Sequence, residues 1–224
     1  MAFAARIHKA LADSYRVVAL LLLPPPRSGK LVSGESVEAL SRAAGILAES
    51  PCPDLGGAIG DLASRLAESL GDVGIWEAFN EDLTVTAITS PGRVSCPLYE
   101  SSHVIPGKHR ILAAPGVSES LNRYYSALGF EVEEGESITV DHASVELEFL
   151  SALHAVEAGL LSSGGPLDIL EELRGLRRGF LYEHALQWLP GLAECLEENS
   201  KSPLLKALAR ALRGLLLCEE AFSA

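Results

Sequence analysis

The stretch Asp141-His-Ala-Ser-Val-Glu-Leu-Glu-Phe-Leu-Ser-Ala-Leu-His-Ala-Val-Glu-Ala-Gly-Leu-Leu161 carries the strongest helical signal in the chain. At ~100° per residue, His142, Val145, Glu146, Phe149, Leu153, Val156 and Leu160 fall on one face, which predicts a long helix over 141–161. His142 and Glu146 set polar groups on that apolar stripe, and both need partners because burying a polar group unpaired is costly. Gly164-Gly165-Pro166 breaks this helix and starts the next, with proline at the favoured first position.

Helical patterning continues on both sides. Residues 3–23 predict a first helix, stopped by Pro24-Pro25-Pro26, which cannot continue one. A polar loop follows, then a second helix over 36–49. Asp54 is placed to cap a third, whose Leu55, Ile59, Leu62, Leu66 and Leu70 keep helical spacing. A fourth begins at 72–79. The segment Leu83-Thr-Val-Thr-Ala-Ile-Thr89 alternates β-branched residues but has no partner strand, so it reads as a helix end or an extended piece. Residues 91–115 form the longest irregular stretch and carry Tyr99, Glu100, Ser101, His103 and His109; a loop of that length is usually functional. A short helix over 118–128 closes at Gly129, and an acidic, glycine-containing linker follows.

Phe180, His184 and Trp188 recur every four residues on the helix after Pro166, as a core face would, and Pro190 should kink or end that helix. The last helix opens at Ser202-Pro203 and buries Leu204, Leu208, Leu212 and Leu215. The expected fold is all-α: a single helical-bundle domain over 1–224, its halves 1–130 and 141–224 joined by an acidic hinge over 131–140.

Composition narrows the function. The chain has 224 residues with 48 % hydrophobic and 21 % charged, which rules out a largely disordered polymer. A net charge of −12 and a pI near 4.9 argue against nucleic acid as a partner and favour cationic ones. The longest apolar run, 17–23, falls far short of the roughly 20 residues a membrane span needs. Arg6 and Lys9 precede that run as in a secretion signal, but Asp13, Arg16 and the three prolines interrupt the pattern, so a cytoplasmic protein is expected. Cys52, Cys96, Cys195 and Cys218 form no CxxC pair and read as free thiols in a reducing cytosol. Asn and Gln are confined to Asn80, Asn122, Asn199 and Gln187, and there is one Met, a scarcity of heat-sensitive residues that hints at a hot environment.

Catalytic motifs are weak. Pro26-Arg-Ser-Gly-Lys30 glances at a phosphate loop, but Pro24 stands where glycine is required and Leu31 where Ser or Thr is. His142 and Glu146, one turn apart, could grip a metal; in the plainer reading Asp141 caps the helix while His142 and Glu146 bond each other or a loop. A metal-dependent hydrolase would recruit His142, Glu146 and His103 or His109. Between 131 and 148 lie Glu131, Glu133, Glu134, Glu136, Asp141, Glu146 and Glu148 with no Lys or Arg. That run is either a solvated linker or an anionic patch that receives arginines of a partner peptide.

Three segments together resemble the TorD/DmsD/NarJ-like redox-enzyme maturation (molybdoenzyme assembly) chaperones. Ser90-Pro-Gly-Arg-Val-Ser-Cys-Pro-Leu-Tyr-Glu-Ser101 is similar to their loop ending in P-P-Y-E-S. Val140-Asp-His-Ala-Ser-Val-Glu-Leu-Glu-Phe-Leu150 is similar to their P-D-H-x-x-x-E-L-x-F segment, with Val140 where the family has proline. Phe180-Leu-Tyr-Glu-His-Ala-Leu-Gln-Trp188 is similar to their F-x-x-x-H-L-x-x-W. The resemblance implies an all-helical cytoplasmic chaperone with no catalytic chemistry and no cofactor of its own. Its partner would be the N-terminal leader, twin-arginine or remnant, of a molybdenum- or tungsten-pterin oxidoreductase subunit. Some members bind guanine nucleotide weakly, and some form homodimers by swapping through the hinge. On this reading Asp141 and Glu146 face the arginines or organise the groove, His142 orients them, and Tyr99, Glu100 and Ser101 line the groove from the loop. The competing class is a helical adaptor that binds a folded protein through another surface.

Overall fold

The computed structural model describes residues 2–25, 27–89, 94–103, 113–132 and 138–223. His109, Glu133, Glu134 and Glu136 lie outside the described residues. The helices run in the order α1 (Ala2–Leu21), α2 (Arg27–Leu31), α3 (Gly34–Ala48), α4 (Pro53–Gly71), α5 (Val73–Leu83), α6 (Ala113–Leu128), α7 (Ala143–Ser163), α8 (Leu167–Phe180), α9 (Leu186–Asn199) and α10 (Pro203–Ser223). An isolated antiparallel bridge joins Tyr99 and His142. The all-α expectation holds.

Local chemistry moves some boundaries. Asp54 does not cap α4: Pro53 takes the first position after Cys52, and Asp54 sits in the first turn, where its charge complements the helix dipole. Asp72 does cap α5, its Oδ1 accepting from the Gly74 and Ile75 N–H groups at 2.8 and 3.4 Å. The β-branched run becomes a wider, π-type turn, Thr84–Ile88, that prolongs α5. Its threonines and valine find no strand to pair with, so the helix ladder absorbs them. Pro190 does not end its helix. The helix is instead interrupted upstream by a second π turn, Leu181–Ala185, and α9 runs through the proline.

α1 packs on α7, α3 and α10, while α10 also packs on α4 and α9. One apolar core therefore runs from Leu11 and Val18 through Leu40, Ile59 and Phe149 to Phe180, Leu208 and Leu212. α3 and α4 cross closely because Gly56 has no side chain; a Cβ there would lie 2.5 Å from the Ala48 nitrogen. The face drawn for α7 is too narrow: Val156 is 42 % exposed, whereas His154 and Glu157, off the expected stripe, are fully buried. No helix among the described residues is long and apolar enough to cross a membrane.

The cysteines correct the sequence reading. Cys52 is bonded to Cys218 and Cys96 to Cys195, with Cα–Cα 5.7 Å in both pairs. Separations of 166 and 99 residues hide these pairings from any reading of local spacing. Disulfides are rare in reducing cytosols but are found inside hyperthermophiles, in line with the scarcity of Asn, Gln and Met. One bond staples the start of α4 to α10; the other ties the segment before Tyr99 to α9.

Thiol titration of the unfolded, unreduced protein should therefore detect no reactive cysteine, and four after reduction. Replacing Cys96 and Cys195 together by serine should cost about 2–5 kcal/mol of stability, because the unfolded chain regains the freedom the long loop denied it. Reactive thiols before reduction would contradict the pairing.

Candidate functional site

The site forms where a short strap, residues 96–103, lies across the start of α7. Its first anchor is the Cys96–Cys195 bond. Beyond that, the strap is held as a strand would be: the Ala143 N–H donates to the Leu98 carbonyl at 2.8 Å and the Glu100 N–H to the Asp141 carbonyl at 2.9 Å. Asp141 adds side-chain bonds, accepting from the Ser101 N–H at 3.2 Å and from the Thr139 hydroxyl at 2.5 Å. Asp141 is thus a clasp on the strap. The helix cap is His142, whose Nδ1 accepts from the Ser144 N–H at 3.1 Å. Tyr99 packs its ring edge-on against His142 at 4.9 Å.

Behind the strap lies a buried polar chain. Ser120 Oγ is 2.8 Å from His184 Nε2, and His184 Nδ1 is 2.8 Å from Glu100 Oε2. Across from it, the Trp188 Nε1–H donates to Glu146 Oε2 at 3.1 Å. His103 packs against the Trp188 ring at a tilt, with ring centres 4.9 Å apart, and its Nε2 lies 2.8 Å from the Pro97 carbonyl. The π turn Leu181–Ala185 carries His184. Glu100 and Glu146 are both fully buried, and Oε1 of each has no other polar partner.

Burial, then the Glu100 charge, push the Glu146 carboxyl well above its usual value, the Trp188 bond only partly offsetting this. Burial lowers His142 to about 4 against a pull upward from Asp141, so its ring is neutral and free to accept at the cap. Burial, then the nearby carboxylates of Glu146, Glu100 and Asp141, keep the Tyr125 phenol protonated. Its hydroxyl donates to the Val140 carbonyl at 2.8 Å.

Asp141, His142, Glu146, Tyr99, Glu100 and Ser101 therefore meet at one junction, with Tyr99 and Ser101 half-buried and the other four buried. The side chains of His142 and Glu146 do not bond each other; the Glu146 N–H donates to the His142 carbonyl at 3.2 Å. Sequence reading assigned His184 and Trp188 to the core; they are buried, and they also belong to this polar junction. The clue was their recurrence at the same interval as Phe180, but the identity of their partners was not encoded in it.

A second buried cluster was missed altogether. His8 Nδ1 lies 2.8 Å from His154 Nδ1, and His154 Nε2 bonds Glu219. Glu219 also receives Arg177 and, at 3.2 Å, the Tyr15 hydroxyl. Glu157 accepts from Arg174 at 2.6 Å and pairs with Arg177. Burial alone would raise Glu219, but His154, Arg177 and Tyr15 together hold it at about 2. His8, His154 and Glu157 have metal-like spacing. The two arginines already balance the two carboxylates, however, and burial and the adjacent His154 hold His8 neutral, at about 4. A divalent ion would bury uncompensated positive charge. This cluster ties α1, α7, α8 and α10 together. A groove of about 870 Å³ beside it, lined by Arg6, Lys9 and small residues, lies toward the far end of α7 from the strap.

The family model described as nitrate reductase delta subunit matches residues 53–194 of the chain. Those residues include the strap, the start of α7 and the π turn with His184. Comparison with curated proteins gives no match.

The titrations have opposite signs. With its carboxyl raised, native Glu146 holds more proton than the unfolded chain above pH 4.5, so stability declines as pH climbs from there until Glu146 ionises. His142 binds less proton when folded, so stability declines as pH falls from 6.5 toward about 4. Glu146→Gln should flatten the alkaline side by up to about 1.4 kcal/mol per pH unit and leave the acid side in place. Chemical unfolding across pH checks this; equal alkaline slopes in both proteins would refute it.

Proposed function

Because this chain belongs to the nitrate reductase delta subunit family, a family of molybdoenzyme maturation chaperones and not of catalysts, we propose that it holds the N-terminal leader of a molybdenum- or tungsten-pterin oxidoreductase subunit until that subunit has received its cofactor. The supporting observation is the convergence of Tyr99, Glu100, Ser101, Asp141, His142 and Glu146 at the strap. They come from segments 40 residues apart, as in the Ser101–Asp141 bond. On this reading the clasp residues shape the leader's seat, and the acids around it set its charge. Exposed Glu131 and Glu148 flank the packed pair Phe130 and Phe149, whose rings are 5.5 Å apart. A leader that offers guanidinium groups followed by an apolar stretch complements an acidic junction backed by aromatic rings.

The protein works in the cytoplasm on this reading, where its two disulfides suit a hot-living cell. A homodimer formed by exchange of the halves 1–130 and 141–224 belongs to the same reading.

Calorimetric titration with leader peptides of the pterin-containing subunits encoded in the same genome tests the reading. Saturable binding near micromolar is expected, about −8 kcal/mol. Asp141→Ala should weaken it by about 1.5–3 kcal/mol, since the clasp on Ser101 and Thr139 is lost. Unchanged affinity in a folded Asp141→Ala protein would overturn the site. No binding to any leader would overturn the function and favour an adaptor for a folded partner.

A further inference from the structure

Two buried carboxyl groups that face one another with no cation between them need a proton. Glu100 and Glu146 are in that position. Their outer oxygens are engaged, Glu100 Oε2 with His184 at 2.8 Å and Glu146 Oε2 with Trp188 at 3.1 Å. Their Oε1 atoms are buried without a hydrogen-bond partner, and the Glu100 charge bears on the Glu146 carboxyl. Two ionised carboxylates only accept, so neither could satisfy the other's buried oxygen without a proton. The groups facing the pair from every packed element are Asp141, His142 and the π-turn His184, with Tyr125 from α6, Trp188 from α9 and His103 from the strap. Among the described residues, no lysine or arginine pairs with either carboxyl. Elsewhere in the same core, the buried Glu157 and Glu219 each have an arginine.

We propose that Glu146 holds a proton against Glu100 in the leader-free protein and that a leader guanidinium takes this proton's place, so that client capture releases one proton. The inference rests on the leader reading above. The exchange balances: a neutral carboxylic acid, a carboxylate and an incoming guanidinium become two carboxylates bridged by that guanidinium, plus one proton released to solvent. Both carboxyls are covered, so entry requires the strap to part from α7, breaking the Glu100–Asp141 and Ala143–Leu98 backbone bonds. A guanidinium fork supplies donors to both inner oxygens at once, which a single proton cannot do as strongly.

Two readings test this. In the leader-free protein, infrared spectra at neutral pH should show the stretch of a buried protonated carboxyl that is absent from Glu146→Gln; no such band would overturn the proposal. Calorimetric titration with the same synthetic leader peptides, in two buffers of different ionisation enthalpy, should show about one proton released by the wild type and none by Glu146→Gln. Wild-type affinity should rise about tenfold per pH unit while the pair remains protonated. Should Glu146→Gln fail to fold, Glu100→Gln serves equally, since its amide donates without a proton to lose. Leader binding with no buffer dependence would overturn the shared proton and leave the leader reading standing. No leader binding in any buffer would overturn both.

Discussion

A helix that starts inside a protein core must find partners for the polar groups at its head, and α7 finds them in the strap. The clasp of Asp141 on Ser101, together with the backbone bonds of Glu100 and Ala143, is the contact on which the rest of the junction depends. It sets Tyr99 against His142, delivers Glu100 to His184, and brings Glu100 face to face with Glu146. The Cys96–Cys195 bond fixes the strap at one end, so the segment is positioned by a covalent tie and by one extended register. A segment whose own structure is one 3-10 turn, Glu100–Ser102, is thereby held in a fixed place.

The core buries carboxylates in two places and satisfies them by different chemistry. Glu157 and Glu219 are met by Arg174, Arg177 and a pair of histidines, a dense set of charges that ties four helices. Breaking such a set leaves a buried charge uncompensated, so it resists change. Glu100 and Glu146 have no lysine or arginine, only histidine, tryptophan and tyrosine, the Asp141 carboxyl and each other. That arrangement is tolerated through protonation, which makes it the more exchangeable of the two. A permanent structural tie and an adjustable one thus lie along the same helix, α7, toward opposite ends.

Much of this was legible in the sequence. Helical period and the proline stops gave the all-α bundle, and the Tyr-Glu-Ser and Asp-His segments named residues that do meet. What escaped was nearly all long-range. The disulfides join cysteines in different helices and loops, with no local signal. His154 and Glu157 lie off the apolar stripe because α7 is enclosed on several sides, which a single-face argument cannot detect. The cap went to His142 and not to Asp141, because Asp141 had a better use for its oxygens in the strap. The Thr84–Ile88 segment followed helix propagation over β propensity, as a run with no partner strand must.

The central claim is that leader recognition happens where the strap meets α7. Hydrogen–deuterium exchange, with and without a saturating leader peptide, reports on those backbone bonds directly. The account predicts that leader binding changes protection at residues 98–101 and 141–146, and leaves the ion-paired region around His154 and Glu219 as it was. Changes confined to other helices, or to the groove beside Arg6 and Lys9, would contradict it.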